Sequence, residues 1–201
     1  MSSTDSSVRF LGKGENAIVR PGVVLCAPVH EYHHYLRRAA IFVHAMGEDD
    51  NGDYVIRGVI IDQPTPFTLQ EMTDENAAIA NSPLGNNLLF RGGDKGKDGV
   101  ILLHDQEALG QSLIGLSGIY QGGWDAALAA CAAGDADPDD FKIFFNYCQF
   151  TEAELDDLLQ SDEDGDGWMS VEVGADVILN PDWDRGDAWQ RLRNAVSPQM
   201  M

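Results

Sequence analysis

Residues 141–150 read Phe-Lys-Ile-Phe-Phe-Asn-Tyr-Cys-Gln-Phe, and the chain continues Thr-Glu-Ala-Glu-Leu-Asp-Asp-Leu-Leu-Gln over residues 151–160. Ser-Asp-Glu-Asp-Gly-Asp-Gly and Trp-Met-Ser-Val-Glu-Val then complete residues 161–173. The aromatic run has the length and composition of a buried strand. Thr151, with Glu154 three residues on, is the signature of a capping box that opens a helix. The stretch therefore predicts strand, helix, tight loop, strand. Phe144, Phe150, Leu155 and Leu158 are expected to form the contact between the central strand and its helix, with Trp168 sealing the far end.

Outward from this stretch, short apolar runs alternate with glycine- and proline-rich punctuation. Residues 23–27 form a run closed by Pro28, and 39–44 and 54–62 flank the acidic loop 47–53 as an antiparallel pair. Residues 88–90, 100–104 and 114–120 read as further strands, the last with Gly115 and Gly118 inside it. Helices are expected over 68–80, over 124–133 before a Gly134 cap, and over 183–196, where Trp189, Leu192 and Val196 share a stripe. The run 177–179 is expected to close the sheet or pack near it. Residues 1–20 read as an arm weakened by Gly12 and Gly14, 21–196 as a single domain, and 197–201 as a frayed end.

Composition limits the functions open to the chain. Its 201 residues are 44% hydrophobic, enough for a substantial core, and carry 13 Lys plus Arg against 33 Asp plus Glu, a net charge of −20. That charge repels phosphate backbones and anionic lipid surfaces, so direct nucleic-acid binding and membrane insertion are not expected. No apolar run approaches the roughly 20 residues of a membrane span. Cys26, Cys131 and Cys148 are widely spaced, without the pairing of a zinc site, and read as reduced thiols of a soluble intracellular protein. The compartment is the cytoplasm or, if the Ser-rich residues 1–7 are the stub of a trimmed targeting segment, the chloroplast stroma.

Few motifs carry chemistry. The Gly-rich segment 92–99 lacks the endings of a phosphate-binding loop. His30, His33 and His34 would share a helix face, but no further ligand is placed beside them. His104-Asp105 ends a strand and reads as a cap, and Leu116-Ser117-Gly118 is a fragment of a nucleophile elbow without its partners. The loop 162–173 matches the first half of an EF-hand. Asp162, Asp164 and Asp166 stand at positions 1, 3 and 5, and Gly167 stands at the sharp turn. Position 12 is Val173, so the metal expected there is at most weakly bound calcium.

Taken in order, these pieces resemble the AlgH-like family of uncharacterised proteins. The resemblance rests on residues 21–28 with 35–43, Gly-Val-Ile-Ile-Asp-Gln-Pro at 58–64, Gly92-Gly93, 100–104, 116–134, 145–159 and Trp168-Met169. It covers about residues 21–195. The family usually has Asn-Arg-Pro in place of Asp62-Gln63-Pro64, Gly-Gly-Pro in place of Gly92-Gly93-Asp94, and Gly-Tyr-Ala-Gly-Trp at 146–150. The resemblance implies an α+β domain in which a bent, mixed β-sheet forms a pseudo-barrel flanked by helices. It also carries a nominal link to transcriptional regulation, although no helix-turn-helix is visible here. Three functional readings follow: a non-catalytic regulatory or protein-interaction module with a protein partner, a weakly calcium-responsive binding protein using residues 162–172, and an enzyme with an unrecognised site. The first is the expectation, with no catalytic residue and no cofactor.

Overall fold

A computed structural model describes residues 8–74, 77–161 and 165–197. The chain begins with β1 (Arg9–Lys13), β2 (Val24–Cys26), the long pair β3 (Ala40–Glu48) and β4 (Tyr54–Ile60), and then β5 (Pro64–Thr68) and the single turn α1 (Leu69–Met72). Next come β6 (Leu88–Arg91), β7 (Lys95–His104), the short β8 (Ser112–Leu113) and β9 (Tyr120–Gln121), and α2 (Trp124–Ala133). The chain closes with β10 (Lys142–Thr151), α3 (Glu152–Gln160), β11 (Met169–Glu172), α4 (Ala175–Ile178) and α5 (Asp187–Val196).

The strand order is β1-β11-β2-β3-β4-β10-β7-β9-β8, with β6 also on β10 and β5 on β6. Among the described residues all pairings are antiparallel except β6 with β10, and the five α-helices described there flank a large, mostly antiparallel sheet. Its path is open: β1 and β8 are its two ends, and no pairing among the described residues joins them. The pseudo-barrel expected from the resemblance is therefore not closed by hydrogen bonds.

β10 is the axis of this arrangement, as its aromatic run predicts. Its second half, residues 148–151, pairs with β4, whereas its first half lies between β6 and β7. The change of partner falls at Asn146, where the ladder with β7 shifts register and φ is +61°. Left-handed backbone favours Gly, with Asn as the next most tolerant residue, so the amide side chain suits this position. The alternation of β10 sends Phe144 into the main core and Ile143 into a smaller one beneath α2, with Leu69, Leu84, Leu89, Leu102, Ala127 and Phe141. Thr151 accepts from the Glu154 N–H (3.2 Å), so the helix start predicted from sequence is formed. Leu155 and Leu159 are the buried residues of α3, and Leu158 packs half-buried beside them. Trp168 is fully buried, its indole N–H donating to Glu31 (3.0 Å).

The structure corrects several expectations. The arm contains β1, hidden in the sequence by Gly12, whose φ of +144° sits at a bulge opposite β11. A Cβ there would lie 2.1 Å from the Asn16 carbonyl oxygen, so the glycine that looks like a strand breaker is what lets this strand form. Residues 114–119 are a turn between β8 and β9. Gly115 and Gly118 have positive φ, and the Ile114 N–H donates to Ile119 O (2.9 Å). The helix expected over 68–80 stops at Met72, where the Thr73 hydroxyl takes the Leu69 carbonyl (2.8 Å). Residues 175–178 are helical and, of the two places expected for the 177–179 run, take the one beside the sheet, with Val177 and Ile178 buried in the main core; α5 starts only at Asp187 because Gly186 (φ +93°) turns the chain into it.

Candidate functional site

The groups with the best credentials for catalysis are committed to the backbone. His104 is fully buried between Tyr120 and Phe141. Its Nδ1 accepts from the Gln106 N–H (3.1 Å) and its Nε2 donates to Gly122 O (3.1 Å). This pair of bonds fixes the neutral Nε2–H tautomer, and burial lowers the pKa further. The imidazole caps a loop, as its place at a strand end predicts. The Ser117 hydroxyl donates to Ile114 O (2.7 Å) and accepts from the Ile119 N–H (3.0 Å), so it builds the β8–β9 turn. The three cysteines are free thiols, and burial pushes Cys26 and Cys148 up to about 12, far from the thiolate. Residues 30–34 are not helical, so the shared helix face of His30, His33 and His34 does not form and all three are exposed.

Asp162 and Asp164 lie outside the described residues. Asp166 is tied into the fold: its Oδ2 accepts from the Val29 N–H (2.8 Å) and its Oδ1 pairs with Arg193 (3.0 Å), with Lys13 at 3.8 Å. Burial alone would raise its pKa, but these donors outweigh burial and hold the carboxyl below the usual range. A cation at Asp166 would compete with both Arg193 and Lys13.

Sequence reading missed a buried charge centre. Lys142, at the start of β10, is 4% exposed and directs its ammonium at the carbonyls of Ile61, Ile178 (3.0 Å) and Asn180 (2.8 Å). The rings of Phe90 and Phe144 flank it at 4.4 and 5.3 Å. Burial pushes its pKa down to about 7, and the Asp62 carboxylate pulls it back up. Three carbonyl acceptors match the three N–H bonds of an ammonium, which further favours the charged form. Asp62, 1% exposed, accepts the Gly186 and Ala188 N–H groups on Oδ2 (both 3.0 Å), so it caps α5 from another segment, while its Oδ1 has no hydrogen-bond partner. Burial raises its pKa to about 6 against the pull of those two N–H groups and Lys142. The pair locks the end of β4 to residues 178–188. The only sequence signal was a lysine inside an aromatic run.

Beside this centre the motifs quoted for the resemblance converge. Gly92 is wedged between β4 and β10, its carbonyl accepting from the Ile60 N–H and its N–H donating to Phe145 O (both 2.9 Å). A Cβ on Gly93 would fall 2.2 Å from the backbone of Tyr147, so Gly92-Gly93 crosses β10 where no larger residue fits. Asn146, beneath this crossing, accepts the Asp98 N–H (2.7 Å) and donates to the Asp98 carboxylate (3.2 Å), which holds the 95–99 excursion of β7. In front of Gly93 opens a recess of about 290 Å³, lined by His34, Tyr35, Gln63, Arg91, Asp94 and Arg185. Gln63 and Gly93 belong to the quoted motifs. Arg185 had no sequence signal, because only the capped loop before α5 carries it there.

Comparison with curated proteins gives no match. Among solved structures, the AlgH protein from Pseudomonas aeruginosa is similar at 18% identity and a TM-score of 0.60, covering 90% of this chain and 88% of that one. A protein from Corynebacterium diphtheriae is similar at 15% identity and a TM-score of 0.59, covering 87% and 86%. At these identities the likeness is one of fold. The AlgH-like family profile matches residues 29–200, most of the sequence and all of the elements that build the recess, and on that match the chain belongs to the AlgH-like family.

Proposed function

We propose that this AlgH-like chain works by binding, as a non-catalytic regulatory or protein-interaction module. The carrying observation is the saturation of the groups that the sequence offers at strand ends, turns and the core: His104 and Ser117 have their donors and acceptors taken by the backbone, Lys142 has its ammonium taken by three carbonyls, and Cys26 and Cys148 are held as thiols, while the exposed His30, His33 and His34 have no nucleophile or metal-ligand cluster placed beside them among the described residues. General acid–base or nucleophilic work needs at least one such group within reach of substrate and free to exchange its proton. The partner is a protein or small ligand rather than nucleic acid, since 13 basic residues among 33 acidic ones cannot replace counterions along a duplex. Three free thiols suit a reducing compartment, the cytoplasm or the stroma. Panels of esterase, peptidase and phosphatase substrates should show no turnover above buffer. Turnover that co-purifies with the protein and disappears in a folded His104→Gln variant would overturn the reading.

A further inference from the structure

We propose that the recess in front of Gly93 binds a small oxyanion, a phosphate or phosphate monoester group, between the guanidiniums of Arg91 and Arg185. The proposal rests on the reading of the chain as a binding module and gives that module a ligand class.

Both guanidiniums are anchored without being neutralised. Arg91 donates through Nε to Gly93 O (3.2 Å), and Arg185 donates through Nη2 to His34 O. Each bond uses one of five guanidinium N–H groups and leaves the others available. The ion pairs among the described residues belong to Arg9, Lys13, Arg20 and Arg193, and none brings a carboxylate to Arg91 or Arg185. On a chain where acids outnumber bases 33 to 13, two arginines share this hollow with a single carboxylate, Asp94, and neither is ion-paired to it, so the hollow reverses the overall charge locally. Guanidinium forks match the oxygens of phosphate in both spacing and charge, which a solvated lysine does not.

The rest of the wall supplies neutral donors and one discriminating acceptor. Tyr35 and Gln63 offer a hydroxyl and an amide, and the His34 ring packs edge-on against Tyr35 (5.8 Å between centroids, 85° between planes). Burial, and then the neighbouring Asp94, raise the Tyr35 pKa, so the phenol remains a donor at neutral pH. Asp94 can accept only from a ligand O–H or N–H. It therefore favours a protonated phosphate or an ester carrying a hydroxyl over a bare carboxylate. At about 290 Å³ the recess is just under the roughly 300–1,000 Å³ range of small-molecule sites, room for a phosphate group or a very small phosphate ester. The frame is rigid. Arg91 ends β6 beside the Gly92-Gly93 crossing, and Arg185 precedes the residues capped by Asp62.

Titration calorimetry at constant ionic strength tests the site with inorganic phosphate, glycerol 3-phosphate and acetate, on the wild type and on Arg91→Gln, Arg185→Gln and Asp94→Asn, each checked for folding by circular dichroism. Saturable binding of the two phosphates, weaker acetate binding and a loss of roughly 10- to 100-fold in each arginine variant are expected. Asp94→Asn should narrow the preference for glycerol 3-phosphate over acetate. Absence of saturable phosphate binding, or binding unchanged in both arginine variants, overturns the site and leaves the non-catalytic reading standing. Phosphate released from glycerol 3-phosphate in the same samples and lost in the arginine variants would keep the site and overturn the non-catalytic reading.

Discussion

Two hollows of the surface are lined by basic side chains, one by Lys142 and the other by Arg91 and Arg185. In the larger, about 360 Å³, Lys142 has all its donors taken by carbonyls and lies against two phenyl rings. In the recess at Gly93, Arg91 and Arg185 are exposed, each spending a single N–H on the chain. The difference separates structure from function more clearly than depth or size does. A saturated cation has no capacity left for a ligand and acts as a clamp, whereas an anchored but unsaturated one is pre-organised to bind.

The largest expected effect breaks the clamp. Lys142→Met should leave three carbonyls and Asp62 uncompensated and cost about 3–5 kcal/mol in urea unfolding. A loss below about 1 kcal/mol would mean that the ammonium does not hold the three segments, and the contrast with the arginines would fail. Asp62→Asn gives a smaller, pH-dependent effect. The Asp62 pKa rises from 3.8 to about 6 on folding, so its stabilising contribution is complete below 3.8 and is lost as pH rises through 6. The amide keeps an acceptor for Gly186 and Ala188. The variant should match the wild type near pH 4 and exceed it by about 1–2 kcal/mol above pH 6, with the loss of a counter-charge for Lys142 limiting the gain. A gap that shrinks with rising pH would reverse the assignment. The smallest effect belongs to the recess: Arg91→Gln and Arg185→Gln should each move stability by no more than about 0.5 kcal/mol, because neither side chain is buried or ion-paired. A larger loss would place the guanidiniums with Lys142 as structural.

Local signals were legible wherever one segment decides its own conformation. The Thr151 cap, the α2 helix ending at Gly134 and the buried alternation of β10 all follow from neighbours within a few residues. Glycine is the residue whose role the sequence leaves most open. In β1 and in the β8–β9 turn, Gly12, Gly115 and Gly118 take left-handed backbone whose consequence depends on which strand lies opposite. The site was legible only in pieces: Gly92-Gly93 and 62–64 stood out as motifs, but nothing in the sequence says that they face each other, or that Arg185 joins them.

The central strand and its helix, the apolar content of the core, the excess of acid and, through collinear motifs, the family can all be read from the residues alone. Hydrophobic periodicity and capping act over short separations, so they can be read along the chain. Which polar groups are spent and which are spare emerges only in the folded chain. Saturation of Lys142 takes carbonyls from residues 61, 178 and 180, and the recess takes side chains from residues 34 to 185, so both exist only once β10 has brought those segments together.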